Sequence, residues 1–145
     1  MALSEDGNLL SAATESGNVY LWFSVSQESG SAGFLPFGRL KQPNAAYCTR
    51  VLFAPNSRLL CTGGSDGCVR LWSIDSAQKT VQLYKSLQGH SNWLWDVVFS
   101  ADSSFLVSVA SDGSARLWDV EGAECICIYS GHGKALTAVA MNDTE

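Results

Sequence analysis

The chain has 145 residues, 46% of them apolar, with a formal net charge of −5 and a pI near 4.9. That is the length of one domain with enough apolar material for a core, and the acidic balance with scattered basic residues argues against a nucleic-acid-binding surface. No apolar run approaches the roughly 18 residues of a membrane-spanning helix, and residues 1–10 lack both the basic and the apolar part of a secretory signal.

Five cysteines are an odd number. Cys48, Cys61 and Cys68 sit in apolar, strand-like sequence, which reads as buried free thiols in a reducing compartment. The expectation is a soluble, cytoplasmic protein with no direct membrane insertion.

Taken in chain order, short runs of Val, Leu, Ile, Tyr, Phe and Trp alternate with clusters of Gly, Asn, Asp and Ser, the signature of strands and tight turns. The first unit is "SEDGNLLSAATESGNVYLW". After it, residues 23–44 form the longest irregular stretch. Its "SQESGSAG" centre has the composition of a flexible connector, and "FLPFGRL" reads as an outer-edge strand, where Pro36 and Gly38 are tolerated. A second unit, "APNSRLLCTGGSDGCVRLW", and a third, "SADSSFLVSVASDGSARLW", align with the first. Their closing tryptophans, Trp22, Trp72 and Trp118, are 50 and then 46 residues apart, and Gly17, Gly67 and Gly113 each precede them by five. In the third unit the strands are expected near 94–99, 104–110, 115–120 and 124–129. A fourth start, "GHGKALTAVAMND", matches "GHSNWLWDVVFSAD".

A period in the forties with a Gly-His pair, an Asp-Gly turn and a Trp-Asp ending resembles the WD-repeat family of β-propellers. The residues that carry it are Gly89-His90, Trp118-Asp119 and Gly131-His132, whereas Phe23 follows Trp22 and Ser73 follows Trp72. The resemblance implies an all-β fold, a partial WD-repeat β-propeller of about three four-stranded blades plus a terminal inner strand. The repeats run at about 1–44, 45–90, 91–132 and 133–145. Blades stacked face to face bury their middle strands on both sides, and "FLVSVA" (105–110) is apolar throughout as that requires. Because closed rings take about four to eight blades, the chain is expected to be part of a larger propeller.

His90, Ser108 and Asp112 contain the residue types of a serine-hydrolase triad, but no G-x-S-x-G accompanies them. The resemblance implies instead that His90, Ser108, Asp112 and Trp118 form a buried structural hydrogen-bond chain. Ala110 occupies a nearby alternative to the hydroxyl position, so which residue supplies the hydroxyl stays open. In the second repeat Asp66, Trp72 and Thr62 match without a Gly-His pair, and in the first Ser16 replaces the aspartate; both blades are expected to lean on apolar packing. Cys125 and Cys127 have no zinc spacing, and strand alternation would place both on one face as paired core thiols. "GHGKALT" lacks the glycine spacing of a phosphate loop and has Ala135 where a hydroxyl would be needed. No catalytic residue, metal, cofactor or small-molecule substrate is expected.

Where the chain enters each inner strand, Tyr47 and Thr49, Trp93 and Trp95, and Ala135 and Thr137 fall at equivalent points on one rim. Large aromatics there are candidate partner contacts. Trp95 is the expected docking residue, and Trp93 either shares that role or covers the corner beside His90. The "WLW" run, the "GHGKA" opening of the last segment and the "ND" near the end resemble the small G-protein-β-like WD subunits of target-of-rapamycin (TOR) kinase complexes. That likeness implies a non-catalytic scaffold that binds the TOR kinase domain. The alternative is a generic WD-repeat adaptor, such as a ubiquitin-ligase substrate receptor or a chromatin-peptide reader.

Overall fold

Serine and aspartate side chains set the first hairpin of two of the three sheets. In the computed structural model, which describes residues 1–26 and 32–142, the hydroxyls of Ser4 and Ser100 donate to Asp6 and Asp102 at 2.5 and 2.6 Å. The same oxygens accept the N–H groups of Leu9 and Phe105 at 2.8 and 3.0 Å. Gly7, Ser57 and Ser103 complete the matching turns in left-handed backbone, with φ of 72°, 56° and 63°. Asn56 stands where the aspartate would and accepts the Arg58 N–H at 2.9 Å.

These turns join β1 (Ala2–Leu3) to β2 (Leu9–Ala13), β5 (Cys48–Phe53) to β6 (Leu59–Gly64) and β9 (Leu94–Phe99) to β10 (Phe105–Ala110). The third strands are β3 (Asn18–Ser26), β7 (Val69–Asp75) and β11 (Ala115–Asp119), and the outer strands are β4 (Ala32–Lys41), β8 (Thr80–Leu87) and β12 (Glu124–Tyr129). Each group of four is an antiparallel sheet with its strands in chain order. The fold is therefore all-β, an arc of three propeller blades. No helix among the described residues is long and apolar enough to cross a membrane.

Alternation along the third strand decides how blades stack. Adjacent Leu and Trp side chains (Leu21-Trp22, Leu71-Trp72, Leu117-Trp118) must point to opposite faces of their sheet. Leu9, Val19 and Leu21 of the first blade pack on Val51, Phe53, Leu60 and Trp72 of the second. Cys61, Val69 and Leu71 of the second then pack on Val97, Phe99, Leu106 and Trp118 of the third. Each such side chain, fully buried, contributes roughly 1.5–3 kcal/mol. The middle blade is covered on both sides, so Leu60, Cys61, Val69 and Leu71 are fully buried.

A β-bulge recurs at one place in all three blades, between the third and outer strands. Leu117 pairs with Cys127 but Trp118 with Cys125, which leaves Ile126 as the extra residue. Phe37 and Tyr84 are the extra residues at the same step of the other blades. The bulge corrects the expectation for the thiols. Cys125 lies on the Trp118 face and Cys127 on the Leu117 face, and both belong to a largely exposed outer strand rather than to the core. All five cysteines are free, Cys61 buried and Cys48 and Cys68 half-buried.

Two further expectations change. Residues 23–44 are mostly strand, because β3 runs on to Ser26 and pairs with β4 as far as Ser26↔Ala32. The "SQESGSAG" connector falls largely on 27–31, outside the described residues. Residues 131–142 form no strand ladder in the described structure; a strand needs a neighbouring strand to bond to. They still sit where a following inner strand would begin, since the Leu136 N–H donates to the Ala110 carbonyl at 3.0 Å.

Candidate partner-binding rim

At one rim of the arc, the turn between second and third strands meets the chain entering the next inner strand. A turn glycine with positive φ makes that close approach possible. At Gly67 (φ 76°) a Cβ would stand 2.6 Å from the His90 carbonyl oxygen, and at Gly113 (φ 76°) 2.6 Å from that of His132.

Beside Gly113 lies a polar chain. The Trp118 indole N–H donates to Ser108 Oγ at 2.8 Å, and Ser108 Oγ lies 2.7 Å from His90 Nε2. His90 Nδ1 lies 3.0 Å from Asp112 Oδ2. Since Ser108 Oγ accepts from tryptophan, its own proton goes to Nε2, and the imidazole carries its proton on Nδ1, aimed at Asp112. Burial lowers the His90 pKa against the opposing pull of Asp112. Burial alone would raise the Asp112 carboxyl, but bonds from Ser114, His90 and the Ser91 N–H hold it at about 2. Neutral His90 beside ionised Asp112 is the resulting state.

The order Asp112–His90–Ser108 is that of a hydrolytic triad, yet its setting is structural. Ser108 is fully buried, and its hydroxyl is held between an indole N–H and an imidazole. A nucleophile in that position has no approach for a substrate.

The second blade solves the same problem with different residues. Trp72 donates to Thr62 Oγ1 at 2.9 Å. In place of histidine, Arg70, 4% exposed, bonds Asp66 Oδ2 at 2.5 Å and Gln42 Oε1 at 3.0 Å. The expectation of mainly apolar packing is therefore corrected for this blade. Gln42 and Arg70 escaped the sequence reading, although arginine recurring in "VRLW" and "ARLW" was a visible signal. In the first blade Ala12 stands at the hydroxyl position, pairing with Tyr20 as Ser108 pairs with Arg116.

The exposed residues of the rim form one aromatic row. The Tyr47 and Trp93 rings lie 5.7 Å apart between centroids, as do those of Trp93 and Trp95. Their exposures, 47%, 39% and 38%, make Trp93 as open as Trp95 rather than a cover for the His90 corner. Backbone geometry explains the aim of Trp95. Val109 pairs with Asp96 and Ala110 with Leu94, so Trp95 is the extra residue of a bulge in β9 and has no partner across the ladder. Its indole N–H donates to Ser111 Oγ at 2.5 Å, which fixes the ring.

Thr49 is the bulge residue at the same point of β5, but its hydroxyl turns inward to the Gly63 carbonyl at 3.1 Å. Thr137 is exposed. An inter-blade ion pair joins Arg50 Nε to Asp96 Oδ1 at 2.9 Å, and Asp96 Oδ2 accepts the Val139 N–H at 3.1 Å. Among the described residues no group of three His, Cys, Asp or Glu is placed to hold a metal ion.

The model of the "WD domain, G-beta repeat" family matches residues 36–73 and 81–119, more than half of the chain. The chain belongs to the WD-repeat family. Among its WD-repeat relatives, the "Protein LST8 homolog" of Drosophila melanogaster is 45% identical over 99% of this chain and 44% of its own length. The "Target of rapamycin complex subunit LST8" of Saccharomyces cerevisiae is 40% identical over 99% of the chain and 46% of its own. The "Target of rapamycin complex subunit wat1" of Schizosaccharomyces pombe is 39% identical over the whole chain and 45% of its own. The chain thus spans about half the length of these relatives.

Proposed function

We propose that this WD-repeat protein is a non-catalytic subunit of TOR kinase complexes, and that the Tyr47–Trp93–Trp95 row is where it docks on the kinase domain. The observation that carries the reading is the similarity to relatives named as subunits of target-of-rapamycin complexes, at about 40% identity along essentially the full chain. The rim supplies a physical mechanism. Trp95 is aimed by a bulge and held by Ser111, so little side-chain freedom is lost on association. Aromatics that are rigid before binding are what interface hot spots require. A partner element laid across the row is held against a stack of sheets, and a kinase conformation that presents that element is favoured by the differential contact.

Co-purification from the protein's own cells tests the assignment. The TOR kinase is the expected stable partner, and its absence would sink the reading. Replacing Trp95 by alanine is expected to weaken capture of the kinase by about 30-fold or more, in line with hot-spot losses of about 2 kcal/mol or above. Its circular dichroism should stay that of the wild type. Unchanged capture would move the docking site elsewhere on the propeller.

A further inference from the structure

We infer that a second recognition groove, between the first and second blades, takes a peptide segment in which an aromatic side chain stands beside an acidic one. It lies at the rim opposite the aromatic row. The β1–β2 and β7–β8 turns that border it are at the other strand ends from the β2–β3 turn. The inference does not rest on the proposed kinase contact.

Both blades of this internal junction contribute walls. Leu9, Phe23 and Phe37 form an apolar floor, and Ser76 and Lys79 reach over it from the β7–β8 turn. The cavity measures about 290 Å³, at the small end of ligand sites, which run from about 300 Å³ upward. Phe37 is the bulge residue of β4, so it leaves the ladder. It meets Phe23 edge to face, with ring centroids 6.3 Å apart and planes at 75°. Two rings at that angle make a corner that a third ring fills with favourable edge and face contacts.

The polar atoms around the corner decide which charge it takes. Its acceptors are spent. Asp6 Oδ1 accepts the Ser4 hydroxyl at 2.5 Å and the Asn8 backbone N–H at 3.0 Å, and Asp6 Oδ2 accepts the Asn8 side-chain amide at 3.1 Å. Asn8 Oδ1 accepts the Ser24 hydroxyl at 3.1 Å. Lys79 is different. Its ammonium lies 4.1 Å from the centroid of the Phe23 ring, and among the described residues no carboxylate pairs with it. A cation over a ring face keeps N–H groups for another acceptor. An apolar corner beside one unpaired cation is the complement of an aromatic residue next to a carboxylate.

The corresponding groove at the next junction has the opposite character. Leu59 borders it, as does Tyr84, the bulge residue of β8. Ala123, with φ of 56°, ends the turn before its outer strand, where Lys79, with φ of 53°, ends the turn before β8. Asp102, Asp119 and Glu121 line that groove against one arginine, Arg58, and so repel an acidic segment.

Amide NMR of the 145-residue chain, titrated with the peptide N-acetyl-Gly-Phe-Glu-Gly-amide, tests the groove. Saturable shifts are expected at Ser24, Phe37, Ser76 and Lys79, with Tyr84 and Glu121 unmoved. The same peptide with glutamine for glutamate should bind about fivefold more weakly, the loss of one partly exposed ion pair. Lys79→Gln should weaken the original peptide to a similar degree while its circular dichroism stays that of the wild type. Both differences should shrink as salt is raised. No saturable shift, shifts centred on the aromatic row or on the second groove, or equal affinity after either change would overturn the inference.

Discussion

His90 shows how much one side chain can hold. It is the hinge of a chain that satisfies Trp118, Ser108 and Asp112 between two sheets, where an unpaired polar group costs about 1–3 kcal/mol. His90→Ala is therefore expected to lower unfolding free energy by about 2 kcal/mol in urea titration, with Ser108→Ala similar because it strands the Trp118 N–H. The pH dependence follows from the shifts. His90 has a folded pKa below the ordinary histidine value, so the unfolded chain binds the proton first, and stability falls as pH drops from about 7 through that lowered value. Asp112 adds stability that is present above the ordinary carboxylate range and lost as pH falls toward about 2. Melting temperatures measured from pH 8 to 4 should decline across the histidine window in the wild type and lose that step in His90→Gln. Equal slopes would remove His90 from the account.

At the scale of elements, bulges decide what the strands present. Identical bulges at each Leu-Trp step turn Phe37, Tyr84 and Ile126 out of the ladder, and the inner-strand bulges do the same to Thr49 and Trp95. A one-residue insertion changes which face every later side chain takes, so alternation counted from the sequence misplaced Cys125 and Cys127. The turn glycines act at the same scale. Gly67 combines positive φ with the carbonyls of His90 and Asn92 at 2.6 and 2.8 Å from an added Cβ. Gly67→Ala should destabilise by at least about 1 kcal/mol, more than the same change at Gly38, where the space is open and φ is not positive. Thermal melts of the two variants compare them directly.

Across the whole molecule, burial is graded by position in the arc. The second blade is sandwiched, while the first and third each have one face open, and their tryptophan and leucine residues record the difference. Hydrogen exchange under dilute conditions should find the amides of β6 and β7 slowest and those of β3 and β11 faster, because opening the middle blade requires separating both junctions. Uniform protection would contradict that gradient. The aromatic row belongs to this scale too, since Tyr47 comes from the second blade and Trp93 and Trp95 from the third.

The sequence by itself determined the repeat, the strand order within each blade and the turn residues. Those features are periodic, and a period is visible in one dimension. The family resemblance implied the chain of His90, Asp112 and Trp118, and the structure decided that Ser108 supplies its hydroxyl. The sequence also marked Tyr47 and Trp93, and Thr49 and Trp95, as equivalent points of two repeats. Only the tertiary structure decided that Arg70 and Gln42 take the place of histidine in the second blade, because they are 28 residues apart and meet only when blades stack. It alone decided the bulges, which depend on pairing between strands, and hence the aim of Trp95 and the separation of Cys125 from Cys127. "SNWLWDVVFS" announced two tryptophans, and the register of β9 on β10 is what turns one of them outward.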